Sequence, residues 1–162
     1  HYGQGLSVAN GMALASKLNH EGVRVYCICG DGELQEGQIW EAAMYAAAQK
    51  IDNLIATIDY NGRQIDGDVD DVITLGDLGA KWSAFGWDVL KMNGHDFEDM
   101  KNVLAQAKAK VGQGKPIVII MATEMGQGVD YMMGTHKWHG TTPNPEQLAN
   151  ALSQLEETLG DY

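Results

Sequence analysis

Positive charge is scarce in this sequence of 162 residues. Lysine and arginine together number 11 against 22 aspartates and glutamates, which gives a formal net charge of −11. The basic residues form no cluster, so the chain is a poor partner for nucleic acid or for an anionic membrane surface. A phosphate ligand would therefore need a metal ion or backbone dipoles to supply much of its positive charge.

Cysteine and long apolar runs are also rare. Cys27 and Cys29 are the two cysteines, and residues two apart in a strand share a face, so we expect small core residues rather than a zinc site. Free thiols are typical of a reducing compartment, and no apolar run predicts a membrane span or a signal peptide. These absences predict a cytoplasmic protein without a membrane partner.

Strand-like and helix-like patterns alternate along the chain. Strands are predicted at Val23–Cys29, Asn53–Asp59, Trp87–Met92 and Pro116–Ala122. Helices are predicted at Gly5–Leu18, Gly37–Lys50, Leu75–Phe85, Phe97–Lys110 and Glu146–Leu159. This order predicts an α/β fold of three layers, with helices on both faces of a parallel sheet. We expect one domain over residues 1–162, incomplete at its amino terminus.

A glycine–aspartate–glycine sequence follows the first predicted strand, and Asn61 follows the next strand. Ligands of doubly wound sheets bind beyond the carboxyl ends of the strands, so Asp31 and Asn61 are expected to converge. Carboxylate and amide oxygens suit Mg²⁺ or Ca²⁺, and Gly30 and Gly32 would let a phosphate approach the backbone. On these residues alone, a surface turn is the alternative.

The stretch GDGELQEGQIWEAAMYAAAQKIDNLIATIDYNGRQIDG, residues 30–67, resembles the thiamine diphosphate-binding signature and, more narrowly, the transketolase family. The stretches GQGLSVANGMALASKL, FGWDVLKMNGHD, KPIVIIMATEMGQGV and WHG resemble the same family. The likeness is closest to the amino-terminal subunit of transketolases made of two polypeptides. It implies a thiamine diphosphate-binding fold, and within it the domain that binds the diphosphate.

The resemblance implies a metal and diphosphate site at matching positions. Asp31 and Asn61 would ligate a divalent cation, Mg²⁺ or else Ca²⁺ or Mn²⁺, through their side chains. Arg63 would do so through its backbone carbonyl. Gly30 and Gly32 would line the diphosphate of the cofactor.

Four further residues receive roles from the resemblance. His139 would donate a hydrogen bond to the diphosphate, and Ile65 and Met125 would pack against the thiazolium region. Glu36 would lie at a subunit interface, hydrogen-bonded toward the other active site; Glu36 and His139 are the residues assigned to catalysis. From the residues alone, Glu36 could equally be an acid favoured at a helix start, and His139 a surface histidine.

The resemblance implies an enzyme that moves a two-carbon ketol unit between sugar phosphates. A pyrimidine-binding domain from another segment or subunit would complete the site, so we expect a homo- or hetero-oligomer and an inactive isolated chain. Two alternatives stay open. One is another thiamine diphosphate enzyme, such as a deoxyxylulose-phosphate synthase or a keto-acid decarboxylase component. The other is an inactive fragment or assembly module.

Overall fold

The computed structural model describes residues 3–64, 67–68 and 73–156. Four parallel strands form its main sheet: Val25–Gly30 (β1), Leu54–Tyr60 (β2), Asp88–Asn93 (β5) and Ile117–Ala122 (β6). A short antiparallel pair consists of Arg63–Gln64 (β3) and Gly67–Asp68 (β4). The helices are Gly5–Leu18 (α1), Gly37–Ala48 (α2), Leu78–Ala84 (α3), Phe97–Lys110 (α4) and Pro145–Gln154 (α5). The predicted α/β class is confirmed.

The main sheet has the strand order β1-β2-β6-β5 and separates two apolar layers. Buried residues of α1, α2 and α3 pack on one face, against side chains of the central strands such as Ala56 and Val118. Residues of α4, including Val103 and Ala107, pack on the other face against Ile55, Ile117 and Ile119. The predicted three layers are therefore present, because neighbouring strand residues point to opposite faces.

The two central strands are apolar because both of their faces are covered. Residues Ile117 to Ile120 of β6 are all buried, as are Leu54 to Ala56 of β2. A continuous apolar run of this kind is typical of parallel strands buried on both sides. The stretch PIVIIMA was predicted to be such a strand, and the structure confirms it.

Capping residues explain where the helices begin. The carboxylate of Asp77 accepts a hydrogen bond from the backbone N–H of Ala80 at 2.9 Å, so α3 begins at Leu78 rather than at the predicted Leu75. Asn144 and Gln147 form a reciprocal capping box that starts α5. Side chains that satisfy the first N–H groups of a helix fix its start more sharply than hydrophobic periodicity can.

All four main strands point their carboxyl ends at one edge of the sheet. The register pairs Gly30 with Asp59, and Asp59 in turn with Met121. Residues that follow β1, β2 and β6 are therefore brought together at this edge although they are far apart in sequence. Among the described residues, no helix combines the length and the hydropathy needed to cross a bilayer.

An ion pair lies at the opposite, amino edge of the sheet. Lys17 Nζ is 2.6 Å from Asp52 Oδ1, and Asp52 Oδ2 accepts the backbone N–H of Gly114 at 2.9 Å. Burial acts to raise the pKa of Asp52, but the hydrogen bonds from Lys17 and Gly114 and the charge of Lys17 together lower it. The ionised carboxylate therefore stabilises the fold.

Replacing Asp52 with asparagine should cost about 1 kcal/mol of unfolding free energy at neutral pH. Because the pKa is lower in the folded state, this stabilisation is present above the unfolded-state pKa and disappears as pH falls through the folded-state value. The difference between wild type and Asp52→Asn should thus shrink below about pH 4. Urea unfolding of both proteins over a pH series measures it, and a difference independent of pH would contradict the assignment.

Candidate cofactor and metal site

Asp31 is a buried carboxylate directly after the carboxyl end of β1. Its side chain is only 2% exposed, and it stands at the start of a short 3₁₀ turn, Gly32–Gln35. Oδ1 accepts the N–H of Gly32 at 2.7 Å, and Oδ2 accepts the N–H groups of Asn61 at 3.0 Å and Gly62 at 2.5 Å. The carboxylate thus ties the end of β1 to the loop after β2.

The charge of Asp31 has neutral partners only among its hydrogen-bond donors. Burial raises its pKa, the three backbone hydrogen bonds lower it, and the nearby charge of Asp59 raises it again, so that the pKa lies above the usual value. Among the side chains that the structure describes, no lysine, arginine or histidine pairs with Asp31. A cation bound here would compensate a buried charge that the chain leaves uncompensated.

The hydrogen bonds of Asp31 leave room for one further ligand. A carboxylate offers about four acceptor positions, and three of them are used by Gly32, Asn61 and Gly62. The remaining position is on Oδ1, which accepts one N–H where Oδ2 accepts two. This donor set fits a hard divalent cation bound through one carboxylate oxygen.

Asn61 lies beside Asp31, as the spacing of the two residues predicted. The hydrogen bond between them uses the backbone N–H of Asn61, whereas its side-chain Nδ2 lies 3.5 Å from Asp59 Oδ2. Among the described residues, no group of three histidine, cysteine, aspartate or glutamate side chains could hold a metal ion. Any metal here would need amide, carbonyl or ligand oxygens in addition to Asp31.

Gly30 has the open surroundings that a close ligand requires. A Cβ atom built on Gly30 meets nothing within 4 Å, so neither crowding nor an unusual backbone angle in the chain demands glycine there. Its N–H donates to Glu33 Oε2 at 3.2 Å, while Glu33 Oε1 is buried without a hydrogen-bond partner among the described residues. Sequence reasoning did not single out Glu33. The N–H of Gly32 is already engaged by Asp31.

The loop after β2 is described in part. Arg63 begins β3, two residues beyond Asn61, and pairs with Asp68 of β4. Its backbone therefore starts next to the loop that Asp31 holds through Gly62. Ile65, predicted to pack against the thiazolium region, lies outside the described residues.

The other predicted residues lie at a helix start and in the loop after β6. Glu36 is exposed at the N-terminal cap of α2, and its side chain makes no capping hydrogen bond. Met125 is half-buried in the turn after β6, and His139 is exposed in the following loop, where its N–H donates to the carbonyl of His136. The roles of these three residues stay predictions.

Two open grooves lie elsewhere on the described part of the chain. One, of about 340 Å³, is at the amino edge beside Lys17 and Asp52. The other, of about 320 Å³, runs between α1 and α2 beside Asn10 and Tyr45. Neither groove is lined by Asp31, Asn61 or His139.

Comparison with known proteins agrees with the geometry at the carboxyl edge. Residues 1–158 match the family model described as transketolase, thiamine diphosphate binding domain. The chain belongs to the transketolase family. The match covers the segments that carry the resemblance and extends over nearly the whole transketolase-family chain.

Curated relatives include subunits of transketolases. A subunit of the apulose-4-phosphate transketolase of Phocaeicola vulgatus is 42% identical over 157 residues, which are 97% of this chain and 55% of that protein. The 6-deoxy-6-sulfo-D-fructose transketolase subunit SqwG of a Clostridium species is 43% identical over 155 residues, 96% of this chain and 56% of that protein. The chain thus spans just over half the length of these relatives.

Solved structures show the same fold. The crystal structure of transketolase from Campylobacter jejuni superposes with a TM-score of 0.86 at 36% identity, covering 94% of this chain and 24% of that one. The transketolase from Leishmania mexicana gives a TM-score of 0.82 at 32% identity, covering 98% of this chain and 26% of that one. The family therefore favours a transketolase domain over the other thiamine diphosphate enzymes that the sequence left open.

Proposed function

We propose that this chain is the diphosphate- and metal-anchoring part of a transketolase that moves a two-carbon ketol unit between sugar phosphates. The observation that supports the proposal best is Asp31: a buried carboxylate, held by three backbone N–H groups, with one acceptor position left. It lies at the carboxyl edge of a parallel sheet, beside Asn61 of the neighbouring strand. Such an edge is where ligands of this architecture bind.

Asp31, Asn61 and the backbone carbonyl of Arg63 would hold the divalent cation, with Mg²⁺ as the first choice and Ca²⁺ or Mn²⁺ as substitutes. All three supply oxygen, the donor type that these hard cations prefer. The remaining coordination positions would go to diphosphate oxygens and water. The cation would also provide the positive charge that this acidic chain, with its net charge of −11, otherwise lacks.

Gly30 would leave the space that the diphosphate needs, since a side chain there would occupy the open region at the end of β1. His139 would donate a hydrogen bond to the diphosphate from the loop after β6. Ile65 and Met125 would contact the thiazolium ring. Thiamine diphosphate, when bound, supplies the carbon nucleophile that carries the two-carbon unit; these residues hold and orient it.

A second protein part would complete the site. The chain spans about half of its curated relatives, two of which are named as transketolase subunits. We propose that a pyrimidine-binding domain or subunit meets this chain near Glu36, whose exposed carboxylate is at the start of α2. Exposed apolar side chains on α1 and α2, among them Met12 and Met44, offer contact area to a homo- or hetero-oligomer. Free Cys27 and Cys29 fit a reducing cytoplasm.

Calorimetry tests the proposal directly. Thiamine diphosphate is titrated into the chain with and without Mg²⁺, first alone and then with a pyrimidine-domain partner. We expect binding that requires Mg²⁺ and that tightens with the partner, and ketol transfer only when the partner is present. Ketol transfer by the isolated chain would contradict the division of labour, and the absence of Mg²⁺-dependent binding in both samples would overturn the proposal.

Gly30→Ala provides a matched variant for the same titration. Because a Cβ at this position meets no protein atom within 4 Å, the variant should fold as stably as wild type. Its methyl group should nevertheless weaken cofactor binding, since it occupies the space assigned to the diphosphate. Unchanged affinity would remove Gly30 from the site while leaving the metal assignment in place.

A further inference from the structure

Three strand ends meet around the side chain of Asp59. This residue is the second to last of β2, and its Oδ1 accepts a hydrogen bond from the hydroxyl of Thr123, which directly follows β6. Its Oδ2 lies 3.5 Å from Nδ2 of Asn61. The Asp59 carboxylate therefore stands between a hydroxyl on one neighbour and the amide of a predicted metal ligand on the other.

The two ends of an asparagine amide are not equivalent for a cation. The oxygen has lone pairs that can ligate Mg²⁺, whereas the nitrogen carries two hydrogens and only donates. A fixed carboxylate next to the nitrogen selects one of the two orientations that differ by a flip of the amide. Partners of this kind commonly orient metal ligands.

We propose that Thr123 and Asp59 are positioning residues for the metal site: Thr123 fixes the Asp59 carboxylate, which holds the nitrogen end of Asn61 and leaves its oxygen for the cation. The inference rests on the proposed function, because it assumes that Asn61 ligates a metal. It assigns a task to two residues that sequence reasoning did not single out.

The surroundings of Thr123 support the assignment. Its backbone N–H donates to the carbonyl of Tyr60 at 3.2 Å, so the residue continues the β2–β6 pairing beyond the strand. A Cβ on Gly94, after β5, would collide with the Thr123 methyl group and would lie 2.8 Å from Met121 Cγ. Glycine at position 94 thus lets the β5 turn close against Thr123, which limits the rotamers open to its hydroxyl.

Asp59 also contributes charge to the site. With Asp31 it places two carboxylates at the ends of adjacent strands, and their combined charge of −2 matches a divalent cation. Asp59 Oδ1 is engaged by the Thr123 hydroxyl and Oδ2 faces the Asn61 amide. Both of its oxygens are thus directed at neighbouring side chains, in keeping with a supporting role and not with direct ligation.

Three threonine variants separate positioning from general structure. Thr123→Val removes the hydroxyl but keeps the shape, Thr123→Ser keeps the hydroxyl, and Thr57→Val makes the same change at a half-buried site of β2 with no side-chain hydrogen bond in the described structure. Mg²⁺ is titrated at fixed thiamine diphosphate into whichever wild-type sample binds, the chain alone or with its partner. Thr123→Val should weaken Mg²⁺ binding by about 10- to 100-fold, and Thr123→Ser and Thr57→Val should remain close to wild type.

The possible failures can be told apart. If wild type shows no Mg²⁺-dependent binding in either sample, the proposed function fails and this inference fails with it. If wild type binds and Thr123→Val binds equally well, or if Thr123→Ser is as weak as Thr123→Val, only the positioning role is overturned.

Nuclear magnetic resonance provides a readout that needs no metal. The side-chain amide signals of Asn61 can be identified by their loss in Asn61→Asp. In the metal-free chain, Thr123→Val should shift these signals because the Asp59 carboxylate is no longer fixed, whereas Thr123→Ser and Thr57→Val should leave them in place. Unchanged Asn61 signals in Thr123→Val would contradict the proposal.

Discussion

Replacing Asp31 with alanine should reduce Mg²⁺-dependent binding of thiamine diphosphate by more than about 100-fold, since even residues that only support metal ligands cost 10- to 100-fold. The variant removes the one carboxylate oxygen with an acceptor position left for the cation. It also releases the N–H groups of Asn61 and Gly62, which Asp31 Oδ2 accepts. The loop that carries Asn61 and Arg63 would thereby lose its tie to β1. Calorimetric titration with the cofactor and Mg²⁺ measures the effect.

Asp52→Ala is the matched control for this experiment. Asp52 is also an aspartate that follows an irregular turn, accepts a backbone N–H and lies against the sheet, but it is at the amino edge. Both variants should lose stability, because each leaves backbone donors without an acceptor. Only Asp31→Ala should lose binding when both are compared at a temperature where they are fully folded. Equal affinity of Asp31→Ala and wild type would overturn the metal assignment.

The fold was largely predictable because its pattern is local. Apolar runs such as PIVIIMA identify buried parallel strands, and the amphipathic stretch Phe97–Lys110 has the same bounds in the structure as in the prediction. The ends that moved did so for local chemical reasons, as at Leu78, where the Asp77 cap sets the start of α3. The predicted end of the last helix, at Leu159, falls outside the described residues.

The candidate site was predictable where one strand–helix–strand unit builds it. Asp31 and Asn61 follow adjacent parallel strands, so their proximity follows from the pattern and is found in the structure. That Asn61 contacts Asp31 through its backbone N–H could not be read from residue types, because it depends on the path of the loop.

The supporting residues Asp59 and Thr123 were missed for a different reason. They lie 64 positions apart and meet only because β6 inserts between β2 and β5. Sequence order alone does not say which strands are neighbours. Contacts across such a crossover therefore require the sheet topology, whereas contacts within one crossover unit do not.

The aromatic core under α3 is the other place where one side chain carries a large effect. Trp82 is fully buried, and its ring lies 5.3 Å from that of Trp40 and 4.8 Å from that of Trp87, centroid to centroid. Trp40 and Trp87 each donate their indole N–H to a backbone carbonyl, whereas Trp82 Nε1 has no partner among the described residues. Packing alone, not hydrogen bonding, therefore stabilises Trp82 in its place.

Trp82→Ala should lower the unfolding free energy by about 3–5 kcal/mol, a large part of the stability of a typical domain. The change leaves a cavity between α2, α3 and the sheet. Trp82→Phe should cost much less, because it keeps an aromatic ring and removes the buried N–H that lacks an acceptor. Urea unfolding monitored by circular dichroism measures both variants without depending on tryptophan fluorescence.

Trp138→Ala tests whether the effect belongs to the core rather than to the loss of any indole. Trp138 is half-buried in the loop after β6, where its ring packs edge-on against Tyr131 at 5.0 Å and its N–H donates to the Tyr131 carbonyl. Neighbouring solvent can fill the space that this variant leaves, so its loss should be clearly smaller than that of Trp82→Ala. A Trp82→Ala loss no larger than that of Trp138→Ala would show that the ring of Trp82 does not hold α3 against the sheet.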